Sequence, residues 1–303
     1  MRKVIKWIGI FIGSLLGLLV VLIIVLLIYG QMSFKPTHRD YPLYPITADS
    51  SPEGLARGKY LMEAVMSCDK ACHSEGSAPF IGVVENVNEG PISAVFAVPN
   101  LTPDQETGLG SWTDAEIARA IREGVDKDGV ELVIMPSQYY RSLSDADVAA
   151  VVGYLRSLEP VRSEIPPLQV NAVGKVLSAL GMLGPKPKIE PITAPQETPA
   201  QGTVEYGNYL VSIADCRSCH AANLAGVIEP SPGFSPTPNL TPGGELIAWN
   251  ETDFVTAMRT GVKPSGTTMS EDMPWKAYSR MTDEDLLSIW LYLQSLPPAQ
   301  PVR

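Results

Sequence analysis

The sequence predicts an all-α protein, with one apolar helix at the N-terminus followed by two small helical domains built on a common plan. Three observations predict it: an uncharged apolar run from Trp7 to Tyr29, an internal repeat of about 140 residues, and helical periodicity without any alternating run that reads as a sheet. At 303 residues the chain has room for two domains of ordinary size behind such a segment.

Residues 7–29 carry no charge and follow Arg2, Lys3 and Lys6. At about 1.5 Å per residue they make a helix of roughly 35 Å, enough to cross a hydrocarbon core. A cleaved signal peptide has an apolar stretch of about 7 to 15 residues that ends in small residues, and Tyr29-Gly30-Gln31-Met32 lacks that ending. Residues 1–30 are therefore expected to remain as a single-pass anchor in the cytoplasmic-type (inner) membrane. The basic end would stay inside and residues 31–303 would lie on the periplasmic, extracytoplasmic side. Gly9, Gly13 and Gly17 share one face of this helix, so a second membrane helix, from a partner subunit, could approach closely there.

Outside that segment 20 Lys and Arg stand against 33 Asp and Glu, a net charge near −13. Such a surface argues against nucleic acid or anionic lipid as partner. It suits docking to basic protein patches, or simple solubility.

The repeat runs in one order throughout. Gly58-Lys59-Tyr60-Leu61 is answered by Gly207-Asn208-Tyr209-Leu210, and Pro99-Asn100-Leu101-Thr102-Pro103 by Pro238-Asn239-Leu240-Thr241-Pro242. Trp112 matches Trp249, Gly124-Val125 matches Gly261-Val262, and Met135-Pro136 matches Met273-Pro274. The halves close on Tyr154-Leu155 and Tyr292-Leu293. The boundaries expected are residues 54–160 and 204–303 for the two domains, 31–53 for a first linker and 161–203 for a proline-rich second one. Ser33 to Ser51 would hold the first domain off the membrane. Val173 to Leu183 could form a brief helix packed on a domain.

Within the halves, Thr113-Asp114-Ala115-Glu116 has the spacing of a capping box, and Gly124 is placed to end the helix it opens; residues 250–261 repeat that logic. Helices starting near Ser144 and Thr282 carry Val148, Val151, Val152 and Leu155, and Leu286, Ile289 and Leu293, as buried stripes. Loops this long around so few apolar faces leave each domain short of a core. Something large and apolar is expected to fill each centre.

All four cysteines sit in Cys68-Asp69-Lys70-Ala71-Cys72-His73 and Cys216-Arg217-Ser218-Cys219-His220. The second is the haem c attachment pattern, in which two thiols form thioethers to one haem and the adjacent histidine becomes an axial iron ligand. The first has three intervening residues instead of two, but keeps Cys72 next to His73. A disulfide or half of a zinc site would also use the cysteines. Neither explains a histidine after the second cysteine in both halves of a chain with three histidines in all.

The opposite iron face calls for a second ligand, and Met135 and Met273 hold equivalent places, each before a proline that biases it to an extended conformation. Met269 is the rival in the second half, without a counterpart in the first. His38 is expected to be a surface histidine. Trp112, Trp249, Asn100 and Asn239 could line the haem or serve only in core and turns.

These motifs resemble the class I cytochrome c fold, duplicated as in dihaem cytochromes c related to the cytochrome c subunits of membrane-bound alcohol and gluconate dehydrogenases. The resemblance covers roughly residues 54–300 and rests on Asn100-Leu101-Thr102-Pro103-Asp104, Thr107-Gly108-Leu109-Gly110, Trp112, Met135-Pro136 and Tyr154-Leu155, and on their second-half matches. The spacing at Cys68 departs from that pattern, as does a count of two haem motifs where those subunits have three. The resemblance implies two covalently bound haems c, each in a helical shell, and one-electron relay between a donor and an acceptor protein at the outer membrane face, either free or within a respiratory or dehydrogenase complex. The competing expectation is a dihaem enzyme of the peroxidase or thiosulfate dehydrogenase type. It would need further histidines or an uncommitted cysteine, and His38 alone is spare.

Overall fold

The computed structural model describes residues 2–74, 79–132, 134–182, 189–230 and 235–302. In chain order its helices are α1 (Arg2–Ser33), α2 (Pro52–Tyr60), α3 (Asp114–Glu123), α4 (Ser137–Tyr140), α5 (Asp145–Ser157), α6 (Ala172–Ala179), α7 (Val204–Ile213), α8 (Cys216–Cys219), α9 (Glu251–Thr260), α10 (Trp275–Tyr278) and α11 (Asp283–Ser295). Three strands accompany them, β1 (Val83–Glu89), β2 (Ile92–Val98) and β3 (Gln169–Val170). The chain forms two compact units, one of Met1–Thr37, Val84–Ala97 and Pro166–Lys188, the other of His38–Val83, Val98–Ile165 and Ile189–Arg303.

In the first unit, Lys3–Ser33 is long and apolar enough to cross a membrane. Beside it lies a feature the sequence reading did not anticipate, a three-stranded sheet in the order β1-β2-β3, so the chain is mostly helical but not all-α. The physical signal was the turn at Gly90-Pro91 between two valine-rich runs, weakened by a first strand, Val83-Val84-Glu85-Asn86-Val87, that barely alternates. Strand β3 pairs antiparallel with β2 through Ala94 and Val170. Asn171 then caps α6 by accepting from the Gly174 N–H at 2.9 Å, while its own amide donates to the Pro91 carbonyl at 2.9 Å. The brief helix expected from Val173 thus exists, but it packs on α1; Leu183 lies outside the described residues.

In the second unit the two halves repeat each other atom by atom at their joints. Helix α2 crosses α5 where a Cβ on Gly58 would come 2.1 Å from the Ala150 carbonyl oxygen, and α7 crosses α11 where one on Gly207 would come 2.0 Å from that of Ser288. Only glycine permits either approach. Capping boxes open α3 at Thr113 and α9 at Asn250, and Gly124 and Gly261, with φ of 66° and 69°, close them. Ser144 and Thr282 cap α5 and α11, whose expected apolar stripes are buried.

Asn100 and Asn239 are used in turns. Each side-chain oxygen accepts from the N–H of Thr102 or Thr241, and each amide donates at 2.8 Å to the carbonyl of Val161 or Ala299, tying the chain beyond the last helix of its half. Trp112 and Trp249 pack part-buried against the core. Residues 38–51 are not a free spacer: the Arg39 N–H donates to Gly129, Asp49 N–H to Ala149 and Ala48 N–H to the Asp114 carboxylate, with Ile46 buried. His38 is exposed. Part of the second linker is equally engaged, with Ile192 buried and the Asp145 N–H donating to the Gln196 carbonyl at 2.8 Å.

Candidate functional site

The two cysteine–histidine motifs reach the same turn by different windings. After α7 ends, Asp215 takes a left-handed φ of 56°, and Cys216–Cys219 form one α-turn in which the His220 N–H donates to the Cys216 carbonyl at 3.0 Å. The first half carries one more residue before its first cysteine and one more between its cysteines. The former is absorbed in a π-helical turn, Leu61–Val65, continuous with α2, and the latter in a second, Asp69–His73. A π-turn closes over five residues where an α-turn closes over four. His73, five residues after Cys68, is thereby brought to the one-turn relation that His220 has to Cys216. Ser67, the counterpart of Asp215, has the same left-handed φ, 51°.

Both histidines are buried, 6% and 5% exposed. The His73 Nδ1 lies 3.0 Å from the Pro99 carbonyl oxygen and the His220 Nδ1 lies 2.9 Å from that of Pro238. A carbonyl can only accept, so in each ring Nδ1 carries the proton and Nε2 keeps its lone pair. Burial drives the His73 pKa down to about 4 against the opposing pull of Pro99, and burial lowers that of His220 as well. A neutral imidazole oriented through its other nitrogen is the form that binds metal. The role of Pro99 and Pro238 was not read from the sequence, although the repeated Pro-Asn-Leu-Thr-Pro was its signal.

All four thiols are free: Cys68 is buried, Cys216 half-buried, Cys72 and Cys219 exposed. No disulfide joins them, and among the described residues no group of three His, Cys, Asp or Glu could hold a metal. Burial pushes the Cys216 thiol up to about 12 and raises that of Cys68 too, the reverse of what an activated thiolate nucleophile needs.

Met135 and Met273 each precede the proline that caps a four-residue helix, α4 or α10, and each packs part-buried against the core. The Met269 N–H donates to the Gly261 carbonyl at 2.7 Å just as the Leu132 N–H does to Gly124 at 2.7 Å. The first-half counterpart of Met269 is therefore a leucine, which suits core packing. In the second half the indole Nε1 of Trp275 is buried without a hydrogen-bond partner among the described residues. Free cysteines, a neutral histidine and a part-buried methionine are, in each half, the donor types that haem c takes.

Helix α4 of the first half packs on α7 of the second, and α10 of the second packs on the Leu61–Val65 turn of the first. Buried Tyr278 donates from its hydroxyl to the Ala214 carbonyl at 2.7 Å. After burial, the Asp215 carboxylate helps raise the pKa of Cys72 and Tyr139, and it adds to that of Tyr140 behind Cys68 and to that of Tyr278 behind Cys216. The two cysteine turns thus lie within electrostatic reach of each other.

Residues 204–297 match the cytochrome c family. The chain is 26% identical over 287 residues to the cytochrome c subunit of the quinone alcohol dehydrogenase of Gluconacetobacter polyoxogenes, covering 84% of this chain and 58% of that one. It is 27% identical over 301 residues to the gluconate 2-dehydrogenase cytochrome c subunit of Pantoea cypripedii, covering 89% and 64%. It is 28% identical over 228 residues to a diheme cytochrome c-type protein of Cereibacter sphaeroides, covering 67% and 72%. The chain spans less than two thirds of the length of the two dehydrogenase subunits. The second half thus matches the cytochrome c family, in a chain that is similar over most of its length to the cytochrome c subunits of alcohol and gluconate dehydrogenases.

Proposed function

We propose that this chain is a membrane-anchored dihaem cytochrome c that relays single electrons between redox proteins at the outer membrane face, as a subunit of a dehydrogenase or respiratory complex. Residues 54–160 and 204–303 would be tandem class I cytochrome c domains. Cys68 and Cys72 would hold one haem c covalently, with His73 and Met135 as iron ligands. Cys216 and Cys219 would hold the other, with His220 and Met273.

The observation that carries this reading is the twice-built histidine: buried, directly after a free cysteine pair, with Nδ1 committed to a proline carbonyl and Nε2 without a hydrogen-bond partner among the described residues. When bound, haem c supplies a ferrous–ferric couple with unchanged ligands. The chain's own part is to hold imidazole and thioether in place, keep water from the ring and keep the two sites at a fixed separation. The acidic surface suits docking of basic partners. The subunit role is supported by the relatives, two of which are named as cytochrome c subunits of dehydrogenases.

Intact mass of the mature protein tests it: two covalent porphyrins are expected, one after Cys216→Ala with Cys219→Ala, and one after Cys68→Ala with Cys72→Ala. No added porphyrin mass overturns the reading. A high-spin ferric spectrum of the dihaem protein would overturn the relay and favour catalysis.

A further inference from the structure

Helix α6 lies along the outer end of α1. Between residues 11 and 34, the positions withdrawn from the surface are Leu26 and Gly30 of α1 and Phe34 just beyond it, spaced four apart, with the Phe34 N–H donating to Gly30. A Cβ on Gly30 would fall 2.8 Å from Val176, the Lys175 amino group donates to Gln31 at 2.9 Å, and the same group sits 5.7 Å above the Phe34 ring. Leu26 and Gly30 bracket Tyr29, the last residue of the uncharged run. Helix α6 therefore flanks α1 at the level where the apolar run ends, and the Asn171 cap together with the β2–β3 pairing fixes it there.

The flank of α6 beside its contact with α1 is apolar. Val173, Leu177 and Leu180 follow one another at spacings of four and three, which places them on one face. Val173 is 38% exposed, Leu180 50%, and Met182, just beyond the left-handed Gly181, 68%. A run of exposed branched side chains and methionine is costly in water. The charged group of this helix, Lys175, turns its amino end back toward Gln31 and Phe34, as a lysine does at a bilayer edge.

We propose that α6 and the turn that follows it are a second, interfacial membrane contact, whose Val173, Leu177, Leu180 and Met182 dip into the lipid beside α1. The occupant is lipid because the patch continues the apolar surface of α1. This rests on α1 spanning the membrane. It gives the anchor a fixed orientation, since a single helix can spin about its axis and a helix with a lateral foot cannot.

The full haem-loaded chain is reconstituted into phosphatidylethanolamine–phosphatidylcholine vesicles with a photo-crosslinking benzoylphenylalanine at Leu16, Leu180 or Met182. Lipid adducts are expected at all three positions. With the crosslinker at Val173, the adduct yield should fall severalfold when Leu180→Asp and Met182→Asp are added. Adducts at Leu16 without any at Leu180 or Met182 overturn the interfacial helix and leave the anchor standing. Crosslinks from Leu180 or Met182 to a second copy of the chain, in place of lipid, also overturn it. Absence of adducts at Leu16 overturns the anchor and the interfacial helix together.

Discussion

The Tyr60 hydroxyl donates to the Asp285 carboxylate at 2.6 Å, joining the helix ahead of the first cysteine turn to the last helix of the other half. The repeat returns the contact, with the Tyr209 hydroxyl donating to Asp147 at 2.6 Å. The backbone N–H of each cap residue, Thr282 and Ser144, donates to the same tyrosine oxygen. An exchange in which residue i meets j and j meets i is the signature of two-fold packing. The halves thus meet as a homodimer would, inside one chain.

The exchange is unequal in its support. Asp147 also receives Arg57 through two nitrogens at 2.8 Å, whereas Asp285, 2% exposed, has Tyr60 as its side-chain donor. Tyr60→Phe should therefore cost about 1.5–3 kcal/mol, the range for a bond to a charged group, and Tyr209→Phe only about 1 kcal/mol. Urea unfolding of the two variants checks the order; a larger loss from Tyr209→Phe would contradict it.

Gly58→Ala and Gly207→Ala should each destabilise by about 1–3 kcal/mol, because the added methyl meets a carbonyl oxygen that belongs to the neighbouring helix backbone. Surface Gly90→Ala, where nothing lies within 4 Å, is the comparison. It should show only the smaller cost of its left-handed φ of 56°. Thermal melts of the three variants side by side measure the difference.

Asp215 predicts a pH dependence. Burial pushes its carboxyl up to about 7, hydrogen bonding from Ser218 offsets this only in part, and its Oδ1 has no partner. The folded form therefore binds this proton more tightly than the unfolded form, whose carboxyl titrates near 4. Stability from this group is full below that value, declines as pH rises toward 7 and is then lost. Asp215→Asn, which also tolerates the left-handed backbone, should gain little at pH 4 and most at pH 8. Melting temperatures at both values check it.

Met135→His and Met273→His address the two proposed iron sites separately. Each should remove about half of the sulphur-to-iron absorption of the ferric protein and lower the potential of one haem, because methionine favours the reduced iron. Redox titration with optical detection gives both readouts. An unchanged band in either variant would show that the methionine concerned is not a ligand.

What the sequence determined by itself was local or repeated. The caps at Thr113, Asn250, Ser144 and Thr282, the stops at Gly124 and Gly261 and the buried stripes of α5 and α11 follow from spacing along one helix, where the partners are three or four residues apart. The cysteine–histidine pairs and Met-Pro positions were legible because each occurs twice. Tertiary structure decided whatever depends on distant partners. It assigned Pro99 and Pro238 as acceptors for the histidines, set Tyr60 on Asp285 and Tyr209 on Asp147, and laid α6 against Gly30. It also turned the two extra residues near Cys68 into π-turns, since only the packing of that helix and the direction demanded of His73 select five-residue closure over a loop. Spacing along a chain fixes local hydrogen bonds, but contacts between residues 62 or 225 positions apart depend on how whole elements pack.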